Sequence, residues 1–468
     1  MKKIAFAVFI FVGLISASAL ADGRVELNFN PDWKFIKADP ANAQSPDFND
    51  ENWTTVSTPH TYNDVDTFDN FAPPGLRGEI NQWGGRTWYR KTFTAPDAWR
   101  GKKIYIEFEA VRQVAEVYLN GHLLGSCKNG FIPFGFDLTP FMQFGKPNVL
   151  AVMCDNRFMF NPMPNGKNGA TITDNLGERL ARINKTIPEN VDDLQADQIP
   201  WNSPQWHPAM GGIYRNAKLF VVDPLHISLP LYDFLKTEGP YIYSTDISAK
   251  SATVNVEVPI ENDRATNSQA VLPYFTVQVF DRAGKIVLNL KPSDFFRLYP
   301  QHHETITLSG TIQNPQLWQP DYPYLYRAKI TLQADGKIVD SQEIPFGIRA
   351  VHWDVNTGFW INGHHLKIHG WGQKPMDEWP GLGDAMPDWM HFFSLDLMKA
   401  AGGNWVRWGH CAGGPAQIKS CDELGLMVEQ PGVDGESDTV GAAWKVRAAA
   451  FRDIIIFYRN DPAILICE

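Results

Sequence analysis

The chain has few cysteines, little excess positive charge and almost no long apolar stretch. Its five cysteines, Cys127, Cys154, Cys411, Cys421 and Cys467, are odd in number and sparse over 468 residues, so no disulfide framework can be read. Cys127 with Cys154 is the one pair to test, because both fall in the same predicted domain, and free buried thiols are the expected state. With 42 Lys and Arg against 52 Asp and Glu, the net charge of -10 argues against nucleic acid or an anionic membrane as partner. No G-x-G-x-x-G follows a predicted strand, which disfavours a nucleotide-binding doubly wound sheet. The one sizeable apolar run, Ile4 to Ile15, falls short of the ~20 residues a membrane span needs.

That run follows Lys2 and Lys3 and precedes Ala19-Leu20-Ala21, the pattern of a secretory signal. Residues 1–21 are therefore expected to be removed between Ala21 and Asp22. The mature chain would be periplasmic or secreted, with no membrane attachment after cleavage.

Hydrophobic residues at 44% and charged residues at 20% describe a folded globular protein. Its length exceeds what one core supports, so two or three domains are expected. Sixteen tryptophans suit both the gripping of flat sugar faces and the packing of large β cores.

Residues 22–223 show short alternating runs broken by Gly, Pro, Asn and Asp, the pattern of an antiparallel sandwich. Strands are expected at Thr87–Phe93, Lys103–Phe108, Ala115–Leu119 and Val149–Cys154, with a hairpin turn at Asn120-Gly121. The polar stretch from Asn161 to Gln205 contains little that would form a core and reads as a functional or mobile loop. Residues 224–348 form a second β segment, of a length suited to one immunoglobulin-like sandwich, with strands at Ala252–Val258, Tyr274–Phe280, Thr305–Ser309 and Tyr326–Leu332. In 349–468 the pattern becomes β-α-β-α-β-α-β: Leu366–His369, Trp389–Ala401, Trp405–Arg407, Pro415–Leu424, Leu426–Glu429, Ala442–Tyr458 and Ala463–Cys467. Four such strands could found either a doubly wound sheet or half of a (β/α)8 barrel. Ala463–Cys467 is an apolar run of the kind parallel sheets bury on both faces, so the chain is expected to stop inside a domain.

A succession of motifs spans nearly the whole mature chain: Trp88-Tyr89-Arg90-Lys91-x-Phe93, Val117-Tyr118-Leu119-Asn120-Gly121, Phe136-Asp137-Leu138-Thr139 and Gly211-Gly212-Ile213-Tyr214-Arg215. These are followed by Leu317-Trp318-x-Pro320, Pro323-Tyr324-Leu325-Tyr326, Phe346-Gly347-Ile348-Arg349, Phe359-Trp360-Ile361-Asn362-Gly363 and Asn404-Trp405-Val406-Arg407-Trp408-Gly409-His410. In order and spacing the set resembles glycoside hydrolase family 2, the β-galactosidase, β-glucuronidase and β-mannosidase family. The resemblance implies a jelly-roll-like sugar-binding sandwich, an immunoglobulin-like sandwich, and the first half of a (β/α)8 TIM barrel.

It also implies a retaining β-glycosidase acting on an oligosaccharide, polysaccharide or glycoside. Such enzymes use one carboxyl as acid/base and one as nucleophile. On the family's spacing the acid/base would lie about four residues past Glu468, and the nucleophile further on, so no catalytic residue is expected within the chain and the chain alone is expected to be inactive. Substrate binding is assigned to Arg407, His410, Trp408, Trp371, Gln373 and Asp377. A guanidinium can brace a carboxylate bidentately, the role expected of Arg407. The family's usual R-x-S-H-Y-P is here Arg407-Trp408-Gly409-His410-Cys411-Ala412, and the His-rich loop and metal-ligand pattern of β-galactosidases are unmatched. No metal and no cofactor are expected. The rival reading is a non-catalytic carbohydrate-binding or inert remnant. The sequence leaves the sugar and the oligomeric state open, a homo-oligomer included.

Overall fold

Alternating apolar residues put one side of each early strand inward, and two sheets close on that side. The computed structural model describes residues 23–62, 84–157, 185–201, 211–294, 296–374, 379, 382, 385–433 and 439–468. The expected signal segment and Asp377 lie outside them.

The first sandwich pairs a four-stranded sheet, ordered Val25–Asn28, Ala217–Val222, Lys103–Phe108, Phe134–Asp137, with a six-stranded one. The second sheet is ordered Thr54–Val56, Trp33–Ile36, Arg86–Thr94, Pro147–Asp155, Val114–Leu119, His122–Cys127. All neighbours are antiparallel, and Trp33, Phe108, Phe134, Val117 and Val152 fill the space between them. Asn120 and Gly121 take φ of 52° and 83°, the two positive angles a tight hairpin turn requires.

Cys127 and Cys154 both face Ala115 in register, one from each flanking strand. Two strand spacings, roughly 9.5 Å, therefore separate them, beyond the ~7 Å Cα reach of a disulfide. None of the five cysteines is in a disulfide. Burial pushes the Cys127 thiol up to about 12 and that of Cys154 higher still. A thiol titration should find five reactive groups after denaturation and fewer in the native protein, with Cys467, the half-buried one, reacting first.

The second sandwich sets Leu225–Ile227, Tyr241–Thr245, Ser251–Asn262 and His302–Gln313 against Ile286–Leu290, Tyr274–Phe280, Tyr326–Ala334 and Lys337–Phe346. Its core holds Val254, Val256, Phe275, Val277, Ile330 and Leu332. A small three-stranded sheet, Val351–Asp354, Gly358–Ile361 and His364–His365, follows.

The last unit is a parallel sheet in sequential order: β1 (Gly370–Gln373), β2 (Trp405–Trp408), β3 (Met427–Gln430) and β4 (Ile464–Cys467). Helices α1 (Asp388–Ala400), α2 (Pro415–Leu424) and α3 (Gly441–Phe457) connect them. Pro415 starts α2, where its missing N–H costs nothing, and Gly425 ends it in a left-handed conformation at φ 72°. A side chain there would strike the Pro320 carbonyl, so the turn also sets the approach of the second sandwich.

Two expectations need correction. The apolar pattern puts the first parallel strand at Leu366–His369, but the paired residues are Gly370–Gln373. The glycines hide it: strand preferences count against Gly, yet a Cβ at Gly370 would collide with the Trp405 backbone, so close pairing requires it. Trp371 and Gln373 therefore belong to the strand itself. The polar stretch also contributes to the core: Leu194, Ala196, Ile199 and Trp201 are buried in the same cluster as Phe131, Trp408 and Ala442. Within it, the Lys128 ammonium donates to the carbonyls of Val191, Asp192 and Leu194 at 2.6, 2.9 and 2.8 Å. Of the two sheet types that periodicity leaves open, the order β1-β2-β3-β4 among the described strands lacks the reversal point that marks a doubly wound sheet.

Candidate functional site

Parallel register decides which side chains meet. Arg407 of β2 sits directly opposite Glu429 of β3, and Glu468 follows β4 on the next position round. Glu468 is anchored through its backbone, its N–H donating to the Gln430 carbonyl at 3.1 Å and its carbonyl accepting from Gly432 at 3.0 Å. The Arg407 guanidinium reaches both acids. Its Nε lies 3.4 Å from Glu429 Oε1 and 3.3 Å from Glu468 Oε2, and its Nη2 pairs with Glu468 Oε1.

The two carboxyls titrate as a pair. Burial, then the hydrogen bond and charge of Glu468, raise Glu429 above the ordinary carboxylate range, and Arg407 only partly offsets this. Burial also opposes ionisation of Glu468. Its hydrogen bonds to Glu429 and Arg407, and the charges of Arg407 and His410, outweigh that and hold it below the ordinary range. The pair thus releases its protons in two steps under a fixed cation, Glu468 before Glu429. Replacing Arg407 with alanine should move the Glu468 titration up and leave the pair holding its proton to higher pH. Carboxyl signals followed by NMR through a pH titration check this, and an unmoved Glu468 contradicts the bridge.

The other expected residues divide by position. His410, half-buried just past β2, is close enough for its charge to act on Glu468. Gln373 ends β1, its carbonyl accepting from Gly409 at 2.8 Å and its amide 3.5 Å from Ser394 Oγ. Trp371 is 43% exposed on the edge strand β1. Trp408 is fully buried and packs against Gly413, where a Cβ would come within 2.7 Å of the indole. The structure thus brings Arg407 and His410 together with Glu468, holds Gln373 in β1 beside them, and sets Trp408 in the core. Glu429 is not among the expected binding residues, although its place at the end of a predicted parallel strand is the available signal.

Arg215 ties the first sandwich to this end of the sheet. Its guanidinium donates to the Phe131 carbonyl at 2.7 Å and to the Ala412 carbonyl, in the loop after β2, at 3.1 Å. Gly414 leaves the necessary space, since a Cβ there would approach Arg215 Nε to 2.6 Å. Gly414→Ala should therefore cost about 1–3 kcal/mol by overpacking, measurable as a lowered urea midpoint. A neutral result would show that the loop can shift freely.

Comparison with known proteins agrees with this layout. The family model described as "Glycosyl hydrolases family 2, sugar binding domain" matches residues 28–223, and "Glycosyl hydrolases family 2" matches 238–349. A protein of Formosa agariphila named beta-glucuronidase is 44% identical over 445 residues, covering 95% of this chain and 42% of that protein. The Bacteroides ovatus protein named beta-galactosidase BoGH2A is 28% identical, covering 97% of this chain and 47% of its own length. A solved structure described as a beta-glucuronidase from glycoside hydrolase family 2 superposes with a TM-score of 0.83 at 43% identity, over 96% of this chain and 43% of that one. The chain thus spans a little under half the length of these relatives. With both family models matched in order and the fold shared across three successive units, the chain belongs to glycoside hydrolase family 2.

Proposed function

We propose that this chain forms the substrate-binding face of an exported retaining β-glycosidase. Its sandwiches would be jelly-roll-like over 22–223 and immunoglobulin-like over 224–348, and residues 349–468 the first half of a (β/α)8 barrel. The observation that carries the reading is the Arg407 bridge to Glu429 and Glu468 at the C-terminal ends of consecutive parallel strands, where barrel enzymes place their chemistry. The bridged acids have the wrong disposition for catalysis. Both are held by one guanidinium, and Glu468 stands about four residues before the place where the family resemblance puts the acid/base.

Support for the barrel comes from α1. Beyond the buried Leu395 and Met398, it presents Trp389, Phe393 and Leu397 to solvent at four-residue spacing, 65%, 44% and 55% exposed. A helix apolar on two sides has a second packing partner to find, and closing a barrel would supply further β/α units against it. In the assembled site Arg407 would orient a neighbouring carboxylate and His410 would bond a sugar hydroxyl, with Trp371 and Gln373 on the rim and the buried Trp408 supporting the strand ends. The 468-residue chain should show no turnover of aryl β-glucuronides, β-galactosides or β-mannosides. Turnover abolished by Glu468→Gln would overturn the role given to Glu468.

A further inference from the structure

We propose that Arg349 and Asp422 are positioning residues for the site: together they fix where β4 starts, and through its register they hold Glu468 against Arg407. The inference deepens the reading of these strand ends as the working face of a glycosidase and rests on it. Both residues act at the opposite end of β4 from Glu468, so they touch its backbone and reach the site only through the strand.

Val428 of β3 donates its N–H to the Ala463 carbonyl at 2.8 Å, so the carbonyls of Pro462 and Ile464, one residue to either side, point away from β3. Arg349, half-buried where the chain leaves the second sandwich, takes both. Its Nε donates to Pro462 and its Nη2 to Ile464, the latter at 2.6 Å, a use suited to the fixed fork of a guanidinium. Asp422, buried near the end of α2, accepts the Ala463 N–H at 2.7 Å and hydrogen-bonds Asp461. Arg349 stands close enough for its charge to act on Asp422, so the two form one cradle. The turn before β4 is gripped as well: Asn460 accepts from the Ile242 N–H at 2.8 Å, and Arg459 donates to the Glu238 and Gly239 carbonyls at 3.1 and 2.6 Å.

The strand needs this hold because it carries a bulge. Val428 faces Ile464 but Glu429 faces Ile466, so Leu465 is an extra residue between the braced start and the site. A bulge re-aims the side chains beyond it, and a slip of one residue would turn Glu468 to the other face of the sheet, away from Arg407. The bonds from Arg349 and to Asp422 fall on the three residues just before the bulge, where they oppose such a slip.

Titration of the Glu468 carboxyl by NMR in the 468-residue chain tests this. Arg349→Ala and Asp422→Ala should each raise the proton affinity of Glu468 about tenfold or more, the scale of losing a close opposite charge. Asp422→Asn can still accept from Ala463 and should leave it near that of the unmutated chain. Adding Arg407→Ala to Arg349→Ala should move Glu468 no further, because the same bridge cannot be lost twice. Arg24→Ala breaks a buried pair with Asp340 elsewhere in the fold, and should lower stability without moving Glu468. In the unmutated chain the Ala463 N–H and the Arg349 Nε–H should exchange with water as slowly as the Val428 N–H, a reading that stands even where a variant folds poorly. A Glu468 titration unmoved by Arg349→Ala and Asp422→Ala, one moved equally by Arg24→Ala, or fast exchange at Ala463 and Arg349 would each overturn the proposal. None of these readouts needs turnover, so their failure leaves the glycosidase reading standing, and loss of that reading in an activity assay would not move them.

Discussion

Trp318→Ala should lower the stability of the chain by about 3–5 kcal/mol, the range for deleting a large aromatic from a packed core. Trp318 is fully buried and belongs to the second sandwich, yet its indole Nε1 donates to the Asp422 carbonyl of α2 at 2.9 Å. Its own N–H donates to Ile348 at 2.8 Å, and its carbonyl accepts from the Asn362 amide at 3.0 Å. Gly347 beside it has no room for a Cβ between Trp318 and Pro462. One side chain therefore fastens the second sandwich, the small sheet and the parallel sheet. Since domains are stable by only about 5–15 kcal/mol, the loss should separate one cooperative unfolding transition into two. Trp318→Phe keeps most of the apolar volume and should cost less. Urea unfolding followed by fluorescence and circular dichroism checks both, and a Trp318→Ala loss under about 1 kcal/mol, far below the cavity range, would show that the units are held by other contacts.

Stability should rise as pH falls from 8 to about 5. Burial, with the charges of Glu109 and Glu26 adding and Lys218 opposing, pushes Glu107 up to about 7. Burial and the charge of Asp233 push Asp453 up to about 7, and burial pushes Asp461 up to about 6. Asp422, buried against Asp461, is raised as well. Between the ordinary carboxylate value near 4 and these raised values, the native state binds protons that the unfolded chain has released. Their stabilising contribution is thus complete below about pH 4 and is lost as pH climbs through 6 to 7. Each tenfold gain in proton affinity on folding is worth roughly 1.4 kcal/mol, so even a fraction of the combined effect amounts to a few kcal/mol. Other groups work the other way, His226 and Asp340 among them. Burial keeps His226 neutral, which costs stability below about pH 6.5. Asp340 is held down by Arg24 against its own burial, so it contributes above the ordinary carboxylate value and loses that contribution in stronger acid. Calorimetric melting between pH 4 and 8 should show the optimum near 5, and Asp453→Asn should flatten the fall toward pH 8. Melting temperatures flat or rising from 5 to 8 would contradict the buried-carboxyl assignment.

Much of this layout was legible in residue order. Strands such as Lys103–Phe108 and Tyr274–Phe280, and helix Pro415–Leu424, lie where alternation, turn residues and capping proline place them. The glycine-bearing first parallel strand was not legible, because its reason is the Trp405 backbone passing beside Gly370, a contact between residues far apart in sequence. The core role of Leu194 to Trp201 was hidden for a similar reason: four apolar residues spread through a polar stretch show no period, and only the tertiary cluster they share with residues such as Phe131, Trp408 and Ala442 makes them interior. At the site, Arg407 was readable from its motif. That it would bridge Glu429 and Glu468 required the register of three parallel strands, which no local pattern states.

The most direct test joins residues 22–468 to the part of the Formosa agariphila relative that lies beyond the matched region, and measures kcat/KM on aryl β-glucuronides and β-galactosides. Hydrolysis with retention of configuration is expected, absent from the 468-residue chain alone and reduced about 10²-fold or more by Arg407→Ala, the scale of losing one group that positions the reacting atoms. A chimera that melts cooperatively but hydrolyses neither class, or one indifferent to Arg407→Ala, would contradict the substrate-binding role given to this chain.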